Sequence, residues 1–509
     1  MKKNRLLLIF SVVSTLFCLT GCNKEIIPES TGDFIAPEDV TFQDDFKNYK
    51  TINNYSPYAQ HSSPSSGNIN ILVIPATFSD IPNPDKKIIT DLEKAFNGTS
   101  SQTGWQSLHT FFKAASYGNL NVHAEVVKEY YKINLTADEM NSSSASVTAN
   151  AVDNAVSWYK NRYRSDCTKF DADKDGYIDT VMLIYAAEDY SKHKYSDANA
   201  SNLWAYCYWT QNDANKSSPN PNTFFWASYD FMYGSRYLSV DAHTFIHEFG
   251  HCMGLDDYYN YDHNSTDFPA GGFDMQSHNV GDHNGFSKMS LGWSKPYVVN
   301  GNCEITLQRT ALKENNYIII PAGGYSNWNK SPFDEYLLLE YYSPKGMNQF
   351  DSEHITYPSY PRGPRENGIK LTHVDTRMIA FRSSYSGYNV KGYVDNLISG
   401  TYYYEVAATN STPGAGTSRI SKLVEARDYK EIQVISKTKE DKFSKGDYLT
   451  AKDLFKEGDS FSMSEFKSLF FHEGKMNGVD TNGNYESLGF SFEVIKMTAS
   501  YCTIRFSRD

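Results

Sequence analysis

The segment Asp241-Ala242-His243-Thr244-Phe245-Ile246-His247-Glu248-Phe249-Gly250-His251-Cys252-Met253-Gly254-Leu255-Asp256-Asp257 constrains this 509-residue chain more than any other stretch. His247 and His251 are four apart, so on a helix their imidazoles leave the same face one turn apart. Two neutral imidazoles in that geometry can bind one Zn²⁺, with Glu248 beside the metal's water. Taken alone, the spacing also suits an ordinary buried helix. A catalytic zinc needs a third protein ligand and one open position. No Glu occurs between His251 and Glu304, which removes a downstream glutamate from consideration. Gly254 can end the helix in a left-handed conformation and turn the chain back toward the metal. Asp257, three residues further on, is the expected third ligand, and a carboxylate oxygen is an acceptable donor. Asp256 is the adjacent competitor; His263, His278 and His283 are weaker rivals.

The full pattern His-Glu-x-x-His-x-x-Gly-x-x-Asp resembles that of the metzincins, with Asp in place of the third His. Metzincins also carry a Met-containing turn beneath the metal. Gly271-Gly272-Phe273-Asp274-Met275 supplies a glycine-permitted turn with one Met downstream of His251. The Asp-ended motif resembles the immune inhibitor A family of secreted bacterial metallopeptidases. Ile71-Leu72-Val73-Ile74-Pro75-Ala76-Thr77-Phe78-Ser79-Asp80 is similar to that family's opening strand, and Ser116-Tyr117-Gly118-Asn119-Leu120 to its Ser-Tyr-Gly-x-Leu segment. Ser287-Lys288-Met289-Ser290-Leu291-Gly292-Trp293 is similar to the close of its catalytic domain. Glu335-Tyr336-Leu337-Leu338-Leu339-Glu340 and His373-Val374-Asp375 are similar, more loosely, to its post-catalytic β region. Phe273 stands where a typical member has Trp, and the stretch before residue 67 is short for the family's prosegment. The resemblance implies an α+β, metzincin-like zinc endopeptidase domain over residues 67–298.

The N-terminus reads as an address. Lys2, Lys3 and Arg5 precede an apolar run from Leu6 to Phe17, too short for a membrane span and fitting a secretory leader. Leu19-Thr20-Gly21-Cys22 is similar to a bacterial lipobox, which implies cleavage after residue 21 and a lipid on Cys22. Residues 22–66, rich in Ser, Asn, Pro and Asp, are expected to form a flexible tether or short pro-segment. The chain is expected to be exported and held on the cell surface, its membrane partner engaged through that lipid. With 48 Lys+Arg against 60 Asp+Glu it is a poor electrostatic match to nucleic acid. Cys18 leaves with the leader; five further cysteines, 167, 207, 252, 303 and 502, are widely scattered without a Cys-x-x-Cys spacing, and their pairing stays open.

Ile69 to Pro75 and Thr180 to Ala186 read as strands, and Leu203 to Trp209 as another. Asp85 and Ser107 are expected to cap helices that bury Ile88, Leu92 and Phe96, and Leu108, Phe111, Phe112 and Ala115. A third helix is expected from Val147 to Tyr163. After Pro296 only short strand-like runs appear, and 15% aromatic content favours half-wet β surfaces. Residues 299–509 are therefore expected to be a β-rich, sandwich-like region. Asp171, Asp173, Asp175 and Asp179, with Gly176 at the sixth position, match the opening of a calcium loop. Met182 stands at the twelfth position, so an EF-hand is not expected; Ca²⁺ there would stiffen the loop and perform no chemistry.

The functional expectation is a lipid-anchored zinc endopeptidase acting on extracellular proteins or peptides. One rival is a surface adhesin, or a glycan- or cell-wall-binding lipoprotein, with a degenerate protease domain. Another is a zinc amidase acting on cell-wall peptides.

Overall fold

The computed structural model describes residues 26–53, 62–197, 199–262, 265–357, 360–384, 387–411 and 428–509. The leader and Cys22 lie outside them, as does His263.

The first half is built on a sheet in the spatial order Leu120–Val126, Gly67–Thr77, Val181–Tyr185, Thr223–Ser228, Tyr206–Trp209. The first four strands are mutually parallel, whereas Tyr206–Trp209 runs antiparallel along the edge. Gly67–Thr77 is an interior strand covered on both faces, which is why it reads as an almost unbroken apolar run. Its alternation divides the core: Ile71 and Val73 face the helices Lys87–Asn97, Leu108–Ala115 and His243–Cys252, while Leu72 and Ile74 face the helix Ala145–Tyr163. The expected Ser107 cap forms, its hydroxyl accepting from the Thr110 N–H at 3.2 Å; at the other helix Lys86 occupies the cap position, and the Asp85 carboxylate just before it accepts from the Lys87 N–H at 2.8 Å.

The second half is β-rich, but the sandwich-like pair of layers is replaced by one nine-stranded sheet. Its main path runs from Ile432–Val434 through Gly368–Asp375, Glu335–Tyr342, Tyr317–Pro321, Tyr297–Gln308, Tyr501–Arg508 and Phe490–Met497 to Ser460–Phe461. One face, carrying Tyr317, Ile319, Tyr336 and Leu338, packs onto the first half. The other face is buried by irregular chain bearing Phe455, Phe466, Leu469, Phe470 and Met476, so no second facing sheet is required. A separate three-stranded sheet holds Met378–Ser384.

The core runs continuously from Val40 through Phe245 and Trp293 to Tyr336 and Ile432, so residues 298 and 299 mark no break between hydrophobic cores. Of the residues expected to form a flexible tether or short pro-segment, those described pack against the rest of the chain. Thr31–Ile35 pairs antiparallel with Tyr297–Gln308, and Phe46, Tyr49 and Ile52 are buried. These apolar residues have no local period; their partners lie hundreds of positions away, and local patterning does not reveal them.

Candidate metal centre

The helix His243–Cys252 drives Phe245, Ile246 and Phe249 into the core, with Phe96 stacked on Phe245 at 5.3 Å and Phe112 edge-on to Phe249 at 4.9 Å. That packing turns His247, Glu248 and His251 toward the opposite side. His247 Nδ1 lies 2.7 Å from the Met275 carbonyl, and His251 Nδ1 lies 2.7 Å from the Leu255 carbonyl. Since a carbonyl only accepts, each Nδ1 carries a proton, so each ring in its neutral form presents a lone pair at Nε2.

Both lone pairs point at one place. The two Nε2 atoms are 3.1 Å apart, and Asp257 Oδ1 lies 3.0 Å from that of His247 and 3.3 Å from that of His251. Gly254, at φ +110°, makes the reversal that returns Asp257 to the helix. Tyr261 donates its hydroxyl to Asp257 Oδ2 at 2.6 Å, leaving Oδ1 for the imidazoles. Three acceptor atoms gathered in a site whose carboxylate is 6% exposed repel one another unless a proton or a cation sits among them. Burial opposes charge on His251, but Asp257 outweighs it and pushes the imidazole up to about 10. Against its own burial, the same imidazoles hold the Asp257 carboxyl well below the usual range. The field favours positive charge where the three atoms meet. Glu248 is 5% exposed; its Oε2 has no hydrogen-bond partner, and burial pushes its carboxyl upward. Two histidines, one carboxylate and an adjacent orphaned carboxylate fit a zinc ion with an open position.

No family model matches the chain, and no curated protein matches its sequence.

Of the rivals, Asp256 is exposed and stands outside the trio. His278 lies against Phe268 at 4.8 Å between ring centroids, and His283 is buried among Phe111, Phe112 and Trp293; neither joins the ligand group. Met275 is fully buried, but its carbonyl, rather than its sulfur, makes the polar contact to His247. Asp274 holds that turn by accepting from the Gln276 and Asn284 N–H groups at 2.9 and 3.1 Å.

Several supporting residues escaped the sequence reading. Tyr261 is one. Gln276 is another, donating to the His247 carbonyl at 3.2 Å while Gly250 leaves room for its amide. The helix start is gripped by a buried trio: His243 sits 2.7 Å from Asp241 and 3.3 Å from Asp351, with Trp105 stacked on its ring at 3.9 Å. The two carboxylates overcome burial and raise His243 to about 10, keeping it cationic. An Asp two residues before a His signals this only weakly, and Asp351 is remote in sequence.

At the other cluster, Asp171, Asp173 and Asp179 bring one oxygen each within 4.8 Å of one another. Asp175 is not in that group; its Oδ1 accepts from the Tyr177 N–H at 2.9 Å, so it shapes the turn instead. Lys50 pairs with Asp173. Burial, with the neighbouring aspartates adding, pushes Asp179 up to about 8.

Proposed function

We propose that this chain is a zinc-dependent endopeptidase of the immune inhibitor A type, metzincin-like in its catalytic unit, acting on extracellular proteins and tethered through a lipid on Cys22. The observation that carries the reading is the meeting of His247 Nε2, His251 Nε2 and Asp257 Oδ1 within 3.3 Å beside a buried carboxylate that lacks a partner.

His247, His251 and Asp257 would hold the metal. Zinc supplies Lewis acidity, polarising the scissile carbonyl and making a water acidic enough to attack near neutral pH. Glu248 accepts the proton of the attacking water and later delivers it to the leaving amine. Its burial-raised pKa suits that exchange, because a carboxyl titrating nearer the working pH both takes and gives a proton readily. The Met275 and Leu255 carbonyls and Tyr261 keep the three ligands aimed. An extended substrate adds to the edge strand Tyr206–Trp209, whose outer side has no strand neighbour among the described residues. Calcium at Asp171, Asp173 and Asp179 would stiffen the loop leading into Val181–Tyr185.

The test is Glu248→Gln in the full chain. Zinc content should stay near one per chain while hydrolysis of a generic protein falls by about 10²–10⁴-fold. Hydrolysis near the parent level would remove Glu248 from the mechanism. Zinc binding without any chelator-sensitive hydrolysis by the parent would favour the adhesin.

A further inference from the structure

Two cysteines meet where the edge strand crosses the metal-bearing helix. Tyr206 and Tyr208 of the strand turn toward the face covered by the helix Ala145–Tyr163, so alternation sends Cys207 between them to the other face. There it meets Cys252, the last residue of the helix His243–Cys252 and the neighbour of His251. The two sulfurs are 3.7 Å apart. Closing to the roughly 2.0 Å of a disulfide needs a small rotation of side chains whose backbones are already packed together.

No other pair among the described residues offers this. Cys303 and Cys502 lie on neighbouring strands, but Cys303 is paired with Phe506 and Cys502 with Leu307. A four-residue offset along a strand is about 13 Å, well beyond disulfide reach. Cys167 packs in the core on the opposite face of the first sheet.

We propose that Cys207 and Cys252 are a disulfide-forming pair which, in an oxidising compartment, staples the substrate-side edge strand to the helix that carries the metal ligands. Where the bond forms in the cell rests on the export reading; the chemistry of the pair does not. Cys207 is half-buried whereas Cys252 is fully buried, so Cys207 is the sulfur an outside reagent reaches first. The oxidant is an external disulfide, either a disulfide oxidoreductase or oxidised glutathione. The Cys207 thiolate attacks one of its sulfurs and releases one thiolate. The Cys252 thiolate then displaces the second from the mixed disulfide. Two protein thiols are oxidised, one external disulfide is reduced to two thiols, and the two protons pass to those leaving groups. The product closes a loop containing the strand Thr223–Ser228 and most of the metal helix, fixing the distance between substrate strand and ligands.

The experiment uses the purified full chain equilibrated in oxidised or in reduced glutathione. It is then alkylated under denaturing conditions, digested without reduction and read by mass spectrometry, with melting followed in parallel. The expected result after oxidation is a cross-linked peptide pair joining Cys207 to Cys252, two hydrogen masses lighter than its parts. The oxidised form should melt a few degrees higher. Cys207→Ser should abolish both signals and Cys303→Ala should keep both. Recovery of Cys207 and Cys252 as alkylated thiols after oxidation, or equal melting of the oxidised and reduced parent, overturns the proposal. The parent comparison decides even if a variant fails to fold. Neither readout uses hydrolysis, so the staple and the peptidase assignment can fail independently.

Discussion

Replacing Gly254 by Ala tests how the candidate metal centre is assembled. Gly254 sits at φ +110°, a conformation that costs an L-residue about 1–3 kcal/mol. A Cβ there would lie 2.8 Å from Tyr49 Cβ, 2.9 Å from Asn53 Nδ2 and 3.1 Å from Tyr49 Cγ. Tyr49 cannot swing aside freely: it is 5% exposed and packs edge-on against Phe333 at 5.0 Å. Overpacking at such a place costs about 1–3 kcal/mol. The narrower unfolded ensemble of Ala returns only about 0.4–1 kcal/mol, so the net destabilisation should be about 1–6 kcal/mol. At roughly 2.1 cal/mol/K of unfolding entropy per residue, a cooperative chain of this length loses about 1 °C per kcal/mol. The metal-free protein should therefore melt about 1–6 °C lower. Because the same reversal aims Asp257, zinc affinity in a competition with a chromophoric chelator should fall about 10-fold or more. In a Tyr49→Ala background the contact with Cγ is removed and the freed ring space lets the segment give way, while those with the position-49 Cβ and Asn53 Nδ2 remain, so the steric part should be relieved only in part, with a coupling of up to about 1 kcal/mol between the two sites. A Gly254→Ala protein that melts with its parent and binds zinc equally well would refute the account of both the turn and the packed N-terminal segment.

Tyr261→Phe should weaken zinc binding by about 10–100-fold while scarcely moving the melting of the metal-free protein; unchanged affinity in the same competition would deny Tyr261 its role on Asp257. Burial, with the charge of His247 adding, holds His278 down at about 4, against an ordinary 6.5. The unfolded chain takes up that proton first, so stability is fully present above about pH 6.5 and is lost as pH falls toward 4. Urea midpoints at pH 7 and pH 4.5 should show the acid loss reduced in His278→Phe, by up to about 3 kcal/mol, and an equal loss in both proteins would contradict this. About 1 mM Ca²⁺ should raise the melting temperature of the parent but not of Asp179→Asn. Absence of a calcium-dependent rise in the parent would remove the calcium site.

The meeting of His247, His251 and Asp257 was legible in the chain because its key relations are local. The four-residue spacing of His247 and His251 sets a common helix face, and Gly254 followed by Asp257 prescribes a reversal within one turn. Several strands and helices of the first half were readable for the same reason, since apolar runs and a period of about 3.6 are written in consecutive residues, whereas their parallel pairing was not. What could not be read depends on partners brought together across the fold. Thr31–Ile35 finds its ladder on Tyr297–Gln308, and Asp351 completes the clamp on His243. Tyr49 fills the space that Gly254 leaves open, and Cys207 comes to rest against Cys252. The single sheet that stands in place of a sandwich belongs with these, because irregular chain around Phe455, Phe466 and Phe470 covers it without any strand periodicity. The sequence by itself determined which atoms could grip a cation. The tertiary structure decided what holds them in place, because such contacts become favourable only when packing repays the entropy of closing long loops, and no local pattern records that balance.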